Sequence, residues 1–272
     1  MITKAIIAVA GWGTRRLPIT KSIEKCMLPI GNRPLVDYVV QDCIKAGIKD
    51  IYFVVSEGST QLQQYYSEND ALNQYLIKNG KNDAIKQVAV PDGISFHYIE
   101  QPSGGKYGTA VPVALAARYI VDEESVIVLG GDDFIYNADG SSEIRRLLYA
   151  TPQDGNAILG VSVERDQLNK YGVIRMNSDE EFVQIVEKPN PGEEPSDLIN
   201  ISKYVLNHDV IRTIVDYVST DREAEYYITD PINQYVSRGG SLKVVRSQGQ
   251  FLDGGTTEGW LRANRIVLGD LA

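Results

Sequence analysis

Four cations, Arg15, Arg16, Lys21 and Lys25, fall close together in a chain that is acidic overall, with 27 basic against 36 acidic residues and a net charge of −9. They follow an apolar run ending in Ala8-Val9-Ala10 and two glycines, Gly11 and Gly13. Glycine permits close backbone approach, so main-chain N–H groups can line an anion. Arginine adds charge in a geometry that grips phosphate bidentately. Together these features predict a loop that holds a nucleoside triphosphate. Acids stand at two further places, Asp132 after Gly130-Gly131 and Asp253 before Gly254-Gly255. Mg²⁺ takes oxygen ligands and is commonly held by one or two carboxylates together with substrate phosphates. Each aspartate taken alone reads equally well as a turn residue beside glycine.

Other chemistries find less support. Gly11-x-Gly13 lacks the third glycine of a dinucleotide-binding loop, because Arg16 stands there, and the Lys-Ser/Thr of a phosphate loop is missing. The two histidines, His97 and His208, lie in an expected strand and at an expected helix start, so they build no nucleophilic triad. The two cysteines, Cys26 and Cys43, have no metal-type spacing, and Cys43 falls on the apolar side of an expected helix, as a buried thiol does. Arg16 and Lys21 read as solvated or structural. Hydride transfer and covalent hydrolysis are therefore disfavoured. The acidic balance argues against nucleic acid and anionic membranes as partners. No apolar run reaches about 18 residues and no signal-peptide pattern opens the chain, so the expected location is the cytoplasm.

The elements around these residues alternate in type. Ile2 to Ala10 reads as a buried strand, and Leu35, Val36, Val39, Val40, Cys43 and Ile44 recur at helical spacing after Pro34 and before Gly47. Apolar runs at Ile51 to Val55, Ile94 to Glu100 and Ser125 to Gly130 continue the rhythm, with a second glycine loop at Gln101 to Ala110 and an alanine-rich helix after it. This pattern predicts an α/β fold, an open and mostly parallel Rossmann-like sheet with helices on both faces. Ligands in such sheets sit beyond the carboxyl ends of the strands, where both glycine loops and Asp132 would lie. From Asn156 to Leu206 short strands predominate, suggesting a small antiparallel lid that binds the second substrate. The chain is expected to form one domain over 1–272, with about 1–135 as a nucleotide half. About 136–272 would form a second half with a C-terminal helix.

Gly11-x-Gly13-Thr14-Arg15-x-Leu17-Pro18-x-Thr20-Lys21-x-x-x-Lys25-x-Met27-Leu28-Pro29 resembles the signature of the sugar-phosphate nucleotidyltransferases, most of all the bacterial UTP–glucose-1-phosphate uridylyltransferases. The similarity runs on through Pro34-Leu35, Tyr38-Val39-Val40, Tyr171-Gly172-Val173, Val186-Glu187-Lys188-Pro189, Tyr204-Val205-Leu206 and Thr229-Asp230 to the turn at Asp253. It implies that Ala10, Gly11 and Gly13 contact the nucleotide, with Thr14 and Arg15 on its phosphates and Lys25 at the α-phosphate. Gln101 and Gly108 would read the uracil edge, and Asp132 and Asp253 would hold Mg²⁺. Gly172 and Glu187 would bind glucose hydroxyls, with Lys188 on the sugar phosphate. Arg15, Lys25 and Lys188 would then be the catalytic cations for UTP plus glucose 1-phosphate giving UDP-glucose and pyrophosphate. A homo-oligomer is also implied.

The physics suits that reaction. A sugar phosphate is largely dianionic near neutral pH, so its oxygen needs no general base. The obstacle is repulsion between anions, which cations relieve. Several positions depart from the pattern. Glu24 replaces the usual proline before the second lysine and is expected to face solvent. Lys106-Tyr107-Gly108-Thr109 alters the base-side loop, and Ser202 stands where glycine is usual. These changes leave a thymidylyltransferase, or another sugar-1-phosphate nucleotidyltransferase, as the alternative. A binding protein without catalysis would be expected to lack an aspartate or lysine of this set, and all are present.

Overall fold

The computed structural model describes residues 2–120 and 125–269; position 1, 121–124 and 270–272, including both ends of the expected domain, lie outside the described residues. The chain opens with β1 (Lys4–Ala8), then three 3₁₀ turns at Thr14–Arg16, Ile19–Lys21 and Lys25–Met27. A short hairpin of β2 (Pro29–Ile30) and β3 (Arg33–Pro34) leads into α1 (Leu35–Ala46), followed by β4 (Asp50–Ser56). Next come α2 (Gln61–Tyr65), α3 (Asp70–Lys78), α4 (Asn82–Val88), β5 (Ser95–Gln101), α5 (Val111–Ala116), β6 (Val126–Gly130), β7 (Asp133–Tyr136) and α6 (Glu143–Ala150). The remainder comprises β8 (Ala157–Ser162), β9 (Gly172–Met176), β10 (Phe182–Glu187), β11 (Leu198–Leu206), α7 (His208–Ser219), α8 (Thr229–Ser237), β12 (Lys243–Arg246), β13 (Gln250–Asp253) and α9 (Thr257–Leu268).

One mixed sheet runs in the order β10-β9-β11-β6-β1-β4-β5, with β8 also paired to β11 and β12 to β8. The β6-β1-β4-β5 part is parallel. Its apolar residues alternate between faces, as a period of two requires. Ile7, Phe53, Ile127 and Leu129 join Val36, Val39, Val40 and Cys43 of α1 on one face. Ile6, Tyr52, Val54, Val126 and Val128 meet Val113 of α5 and Val210, Ile211 and Ile214 of α7 on the other. Both faces are thus covered, which is the burial a parallel sheet needs. Pro34 sits at the N-cap of α1 rather than inside its first turn, and Gly47 closes the helix with φ +90°.

The expected antiparallel strands are present and continuous with the parallel part. The join is β11, whose last residues pair with β6 while Ile199 pairs with Val173 of β9. Its register against β8 shifts between Asn200 and Tyr204. Ser202 lies in that irregular stretch with φ +52°, a left-handed conformation that favours glycine and explains why glycine is usual there. Its N–H is held by Asn200 Oδ1 at 3.0 Å, a local bond typical of such kinks. The bent strand brings the second half of the chain over the carboxyl ends of β1, β4, β5 and β6.

Candidate active site

A cavity of about 990 Å³ opens at those carboxyl ends. Ala10, Gly11, Gly13, Thr14, Arg15, Lys25, Gln101, Gly108, Asp132 and Lys188 all line it. Gly172, Glu187 and Asp253 do not line it; Glu187 precedes the lining residue Lys188, and Gly172 is the register partner of Glu187.

The loop after β1 is shaped by two glycines in different ways. Gly13 adopts φ +63°, and a Cβ there would stand 3.0 Å from both Lys25 Cβ and Thr20 Cγ2. Thr20 Oγ1 donates to Gly13 O at 2.9 Å and Ser56 Oγ to Ala10 O at 3.0 Å, fixing both ends of the turn. At Gly11 no atom lies near a Cβ position, so its backbone is open to an incoming ligand. Arg15 lines the cavity, whereas its neighbour Arg16 is buried in the protein. Lys21 is exposed, as expected.

Lys25 is the hub of the charged pole. Its ammonium pairs with Asp132 Oδ2. A Cβ at Gly255 would stand 3.1 Å from Lys25 Nζ and 2.7 Å from Asp253 Oδ1, so the ammonium and Asp253 border the same turn. Asp253 is oriented by its own turn, accepting from Gly255 N–H at 2.6 Å and from Thr256 Oγ1 at 3.4 Å. Gly254 N–H donates to Asp132 O at 3.1 Å, which joins the two strand ends directly. Burial would raise Asp132, but the Lys25 ammonium beside it, helped by Lys203 and Arg15, holds the carboxyl below its ordinary value. Asp133 goes the other way. Burial, reinforced by Asp132 and Asp253, raises it to about 6 against the pull of Lys203.

Two hard carboxylates at adjoining strand ends suit a divalent ion. Among the described residues no group of three or more His, Cys, Asp or Glu converges. Any ion held there would therefore complete its shell with substrate oxygens and water, the habit of Mg²⁺.

The base-side pole is built on the second glycine loop. Gln101 ends β5, and its side-chain Oε1 is buried with no donor. A buried acceptor without a partner is costly, and at a cavity wall it marks a place for a ligand donor. Gly108 adopts φ +119°, and a Cβ there would meet Tyr226 O at 2.5 Å. Around it Tyr226 N–H donates to Tyr107 O and Ala110 N–H to Tyr226 O, both at 2.9 Å. The altered residues of this loop serve as pins. Lys106 Nζ donates to Val218 O and Thr220 O at 2.7 and 2.8 Å, and Ile228 N–H donates to Thr109 Oγ1 at 2.9 Å.

The third pole lies at the β9–β10 edge, where Gly172 and Glu187 are register partners. A Cβ on Gly172 would fall 2.8 Å from Ile185 Cγ2 and 3.0 Å from Glu187 Oε1, so the missing side chain makes room for the carboxylate. Burial raises the Glu187 carboxyl; Thr229 and Lys188 oppose it, while Asp230 and Glu225 push further. Lys188, between Glu187 and Pro189, adopts φ +43° and donates its N–H to Tyr171 O at 3.0 Å. A non-glycine residue held in this region costs free energy, and such strain gathers at functional sites.

One sequence expectation changes here. Glu24 does not face solvent: Oε1 accepts from Ser59 Oγ at 2.7 Å, its N–H donates to Gln61 Oε1 at 3.1 Å, and Oε2 is buried without a partner. The glutamate that replaces proline thus binds the loop after β4. Burial, with Glu24 adding to it, pushes the Cys26 thiol far above its ordinary value, so it is not a nucleophile. The histidines are structural, His97 with Asp50 at 3.1 Å and stacked on Tyr52. Lys203 went unnoticed in the sequence although it pairs with Asp133 while only 3% exposed. A lone cation inside an apolar strand was the available signal. Glu57, which takes Ser103 N–H at 3.0 Å and so ties the base-side loop to β4, carried none.

The model of the nucleotidyl transferase family matches residues 4–269. A UTP–glucose-1-phosphate uridylyltransferase of Staphylococcus saprophyticus is 31% identical over 270 residues, spanning 96% of this chain and 90% of the relative. Among solved structures, the UTP-bound UGPase of Acinetobacter baumannii superposes with a TM-score of 0.88 at 28% identity, covering 98% of this chain and 93% of that one. A UDP-glucose pyrophosphorylase complexed with UDP-glucose gives a TM-score of 0.84 at 27% identity, covering 99% and 100%. With its cationic glycine loop, flanking acids and strand-end cavity in that family's frame, this chain belongs to the nucleotidyl transferase family.

Proposed function

We propose that the chain is a UTP–glucose-1-phosphate uridylyltransferase, transferring a uridylyl group to the sugar phosphate by in-line displacement at the α-phosphorus and releasing pyrophosphate. The observation that carries the base assignment is the orphaned acceptor of Gln101 at the cavity wall. Uracil N3–H is a donor, and an amide side chain can accept from it while donating to an adjacent ring oxygen. Ala10, Gly11, Gly13 and Gly108 offer backbone to the nucleotide, and Thr14 and Arg15 take its phosphates. Gly172 and Glu187 receive the glucose hydroxyls and Lys188 the sugar phosphate. UTP-bound and UDP-glucose-complexed relatives of the same fold support this substrate pair.

The residues act by position and charge. The sugar phosphate is already anionic, so no residue need remove a proton. Arg15, Lys25 and Lys188 would offset repulsion between the two phosphates and hold them in line. Asp132 and Asp253 would hold Mg²⁺, which when bound supplies further positive charge to the triphosphate. One domain over 1–272 would do this, with 1–135 serving the nucleotide and 136–272 the sugar. No helix of the described residues is long and apolar enough to cross a membrane. A cytoplasmic homo-oligomer that binds neither nucleic acid nor membrane completes the proposal.

Gln101→Leu tests the base assignment, since leucine keeps the bulk and removes the acceptor. The KM for UTP should rise about tenfold, the cost of one hydrogen bond to the base, with the KM for glucose 1-phosphate unchanged. Steady-state kinetics with each substrate varied in turn reads this directly. An unchanged KM for UTP contradicts the assignment.

A further inference from the structure

Arg16 falls at an unspecified position of the motif, and its charge is not directed at the cavity. The 3₁₀ turn Thr14–Arg16 sends consecutive arginines in different directions, Arg15 to the cavity and Arg16 inward. Arg16 is 7% exposed, whereas Thr14, Arg15 and Leu17 around it are exposed. Its Nη1 donates to Thr256 O at 2.9 Å across 240 residues of chain. The guanidinium lies over the ring of Trp260, 5.0 Å from its centroid. Planar stacking combined with a directed N–H is particular to arginine.

Those two contacts land on the turn that carries Asp253. Thr256 is the N-cap of α9, where its Oγ1 accepts from Gly259 N–H at 3.0 Å and donates to Asp253 Oδ2. Ala263 of α9 is buried and Trp260, Ile266 and Val267 pack against the core, while polar ties set where the helix sits. Trp260 Nε1 donates to Pro29 O at 2.7 Å, and Gly31 N–H to Asn264 Oδ1 at 2.9 Å. They fasten the body of α9 to the β2–β3 hairpin. Arg16 instead fixes the first turn, next to the acid.

We infer that Arg16 is a positioning residue that ties the phosphate loop to the Asp253 turn, so that Arg15, Lys25 and Asp253 meet as one unit. The inference rests on the reading in which Asp253 holds the metal. The loop and the turn are also linked through the Lys25–Asp132 pair and the Gly254 N–H bond to Asp132 O, and Arg16 adds the direct side-chain tie between them. Small misplacements of reacting groups are expensive in rate, which makes a rigid tie between them valuable.

The test compares Arg16→Met, Arg16→Lys, Trp260→Leu and Asp253→Asn in the full chain. The readouts are Mn²⁺ bound to the protein–UTP complex, counted by electron paramagnetic resonance, together with kcat, both KM values and thermal unfolding. Arg16→Met should weaken Mn²⁺ about tenfold and lower kcat about tenfold, with the KM for glucose 1-phosphate within about twofold. Trp260→Leu should move Mn²⁺ affinity and kcat in the same direction by less, and Arg16→Lys should restore part of the loss. If Arg16→Met fails to fold, the Trp260→Leu and Arg16→Lys results decide the matter. Wild-type Mn²⁺ affinity in folded Arg16→Met or, if that does not fold, in both Trp260→Leu and Arg16→Lys, overturns the positioning role, provided Asp253→Asn weakens Mn²⁺. Unchanged Mn²⁺ affinity in Asp253→Asn overturns the metal reading on which it rests.

Discussion

Replacing Lys25 with methionine is expected to lower kcat/KM by about 100-fold, equivalent to about 3 kcal/mol of transition-state stabilisation. The side chain is only 12% exposed, and its ammonium pairs with Asp132 beside the turn that carries Asp253. Removing it takes away a cation where negative charge accumulates and leaves a carboxylate without its partner. Methionine preserves the length and the packing against Gly13, so the loss reports charge rather than a collapsed loop. The loss should appear mainly in kcat, because the charge matters most when the two phosphates are forced together. Steady-state kinetics beside a thermal unfolding scan separates this from misfolding. A folded Lys25→Met variant with wild-type kcat/KM would remove Lys25 from the mechanism.

The largest loss is expected from Asp132→Asn. The substitution keeps the shape of the side chain and leaves the Gly254 N–H to Asp132 O bond available. It removes one of the two carboxylates proposed to hold Mg²⁺, and it strips Lys25 of its ion partner. Turnover at saturating substrates should fall about 1000-fold, or about 4 kcal/mol, and the Mg²⁺ concentration for half-maximal activity should rise. Undiminished Mg²⁺-dependent turnover in Asp132→Asn, measured by pyrophosphate release over a Mg²⁺ titration, would contradict the metal assignment.

The parallel core was legible because each of its strands is an apolar run followed by a glycine-bearing loop. That order places Gly11, Gly108 and Asp132 beyond the carboxyl ends of β1, β5 and β6 in the parallel part of the sheet. Glycine spacing was informative for a physical reason. Gly13, Gly108 and Gly172 are each required by a neighbouring atom that a Cβ would strike. What stayed hidden were side-chain partners set by contact across the fold. The motif set Arg15 apart from Arg16, but nothing local shows that the tight 3₁₀ turn buries Arg16 against Thr256 and Trp260. Glu24 appeared solvated because nothing local shows that Ser59 and Gln61 fold back onto it. Lys203 could be paired with Asp133 only once β11 was known to lie beside β6. The kink at Ser202 likewise arises from a register shift between strands far apart in the chain.

The three poles meet around Lys25 and Gln101, and their joint use is the central claim. The most direct test is turnover of the purified chain with Mg²⁺, offering each of UTP, dTTP, CTP and ATP with glucose 1-phosphate and quantifying both products. The account predicts UDP-glucose and pyrophosphate in equal amounts, with the highest kcat/KM for UTP. Faster turnover with dTTP, or no nucleotide sugar formed from UTP and glucose 1-phosphate, would contradict it.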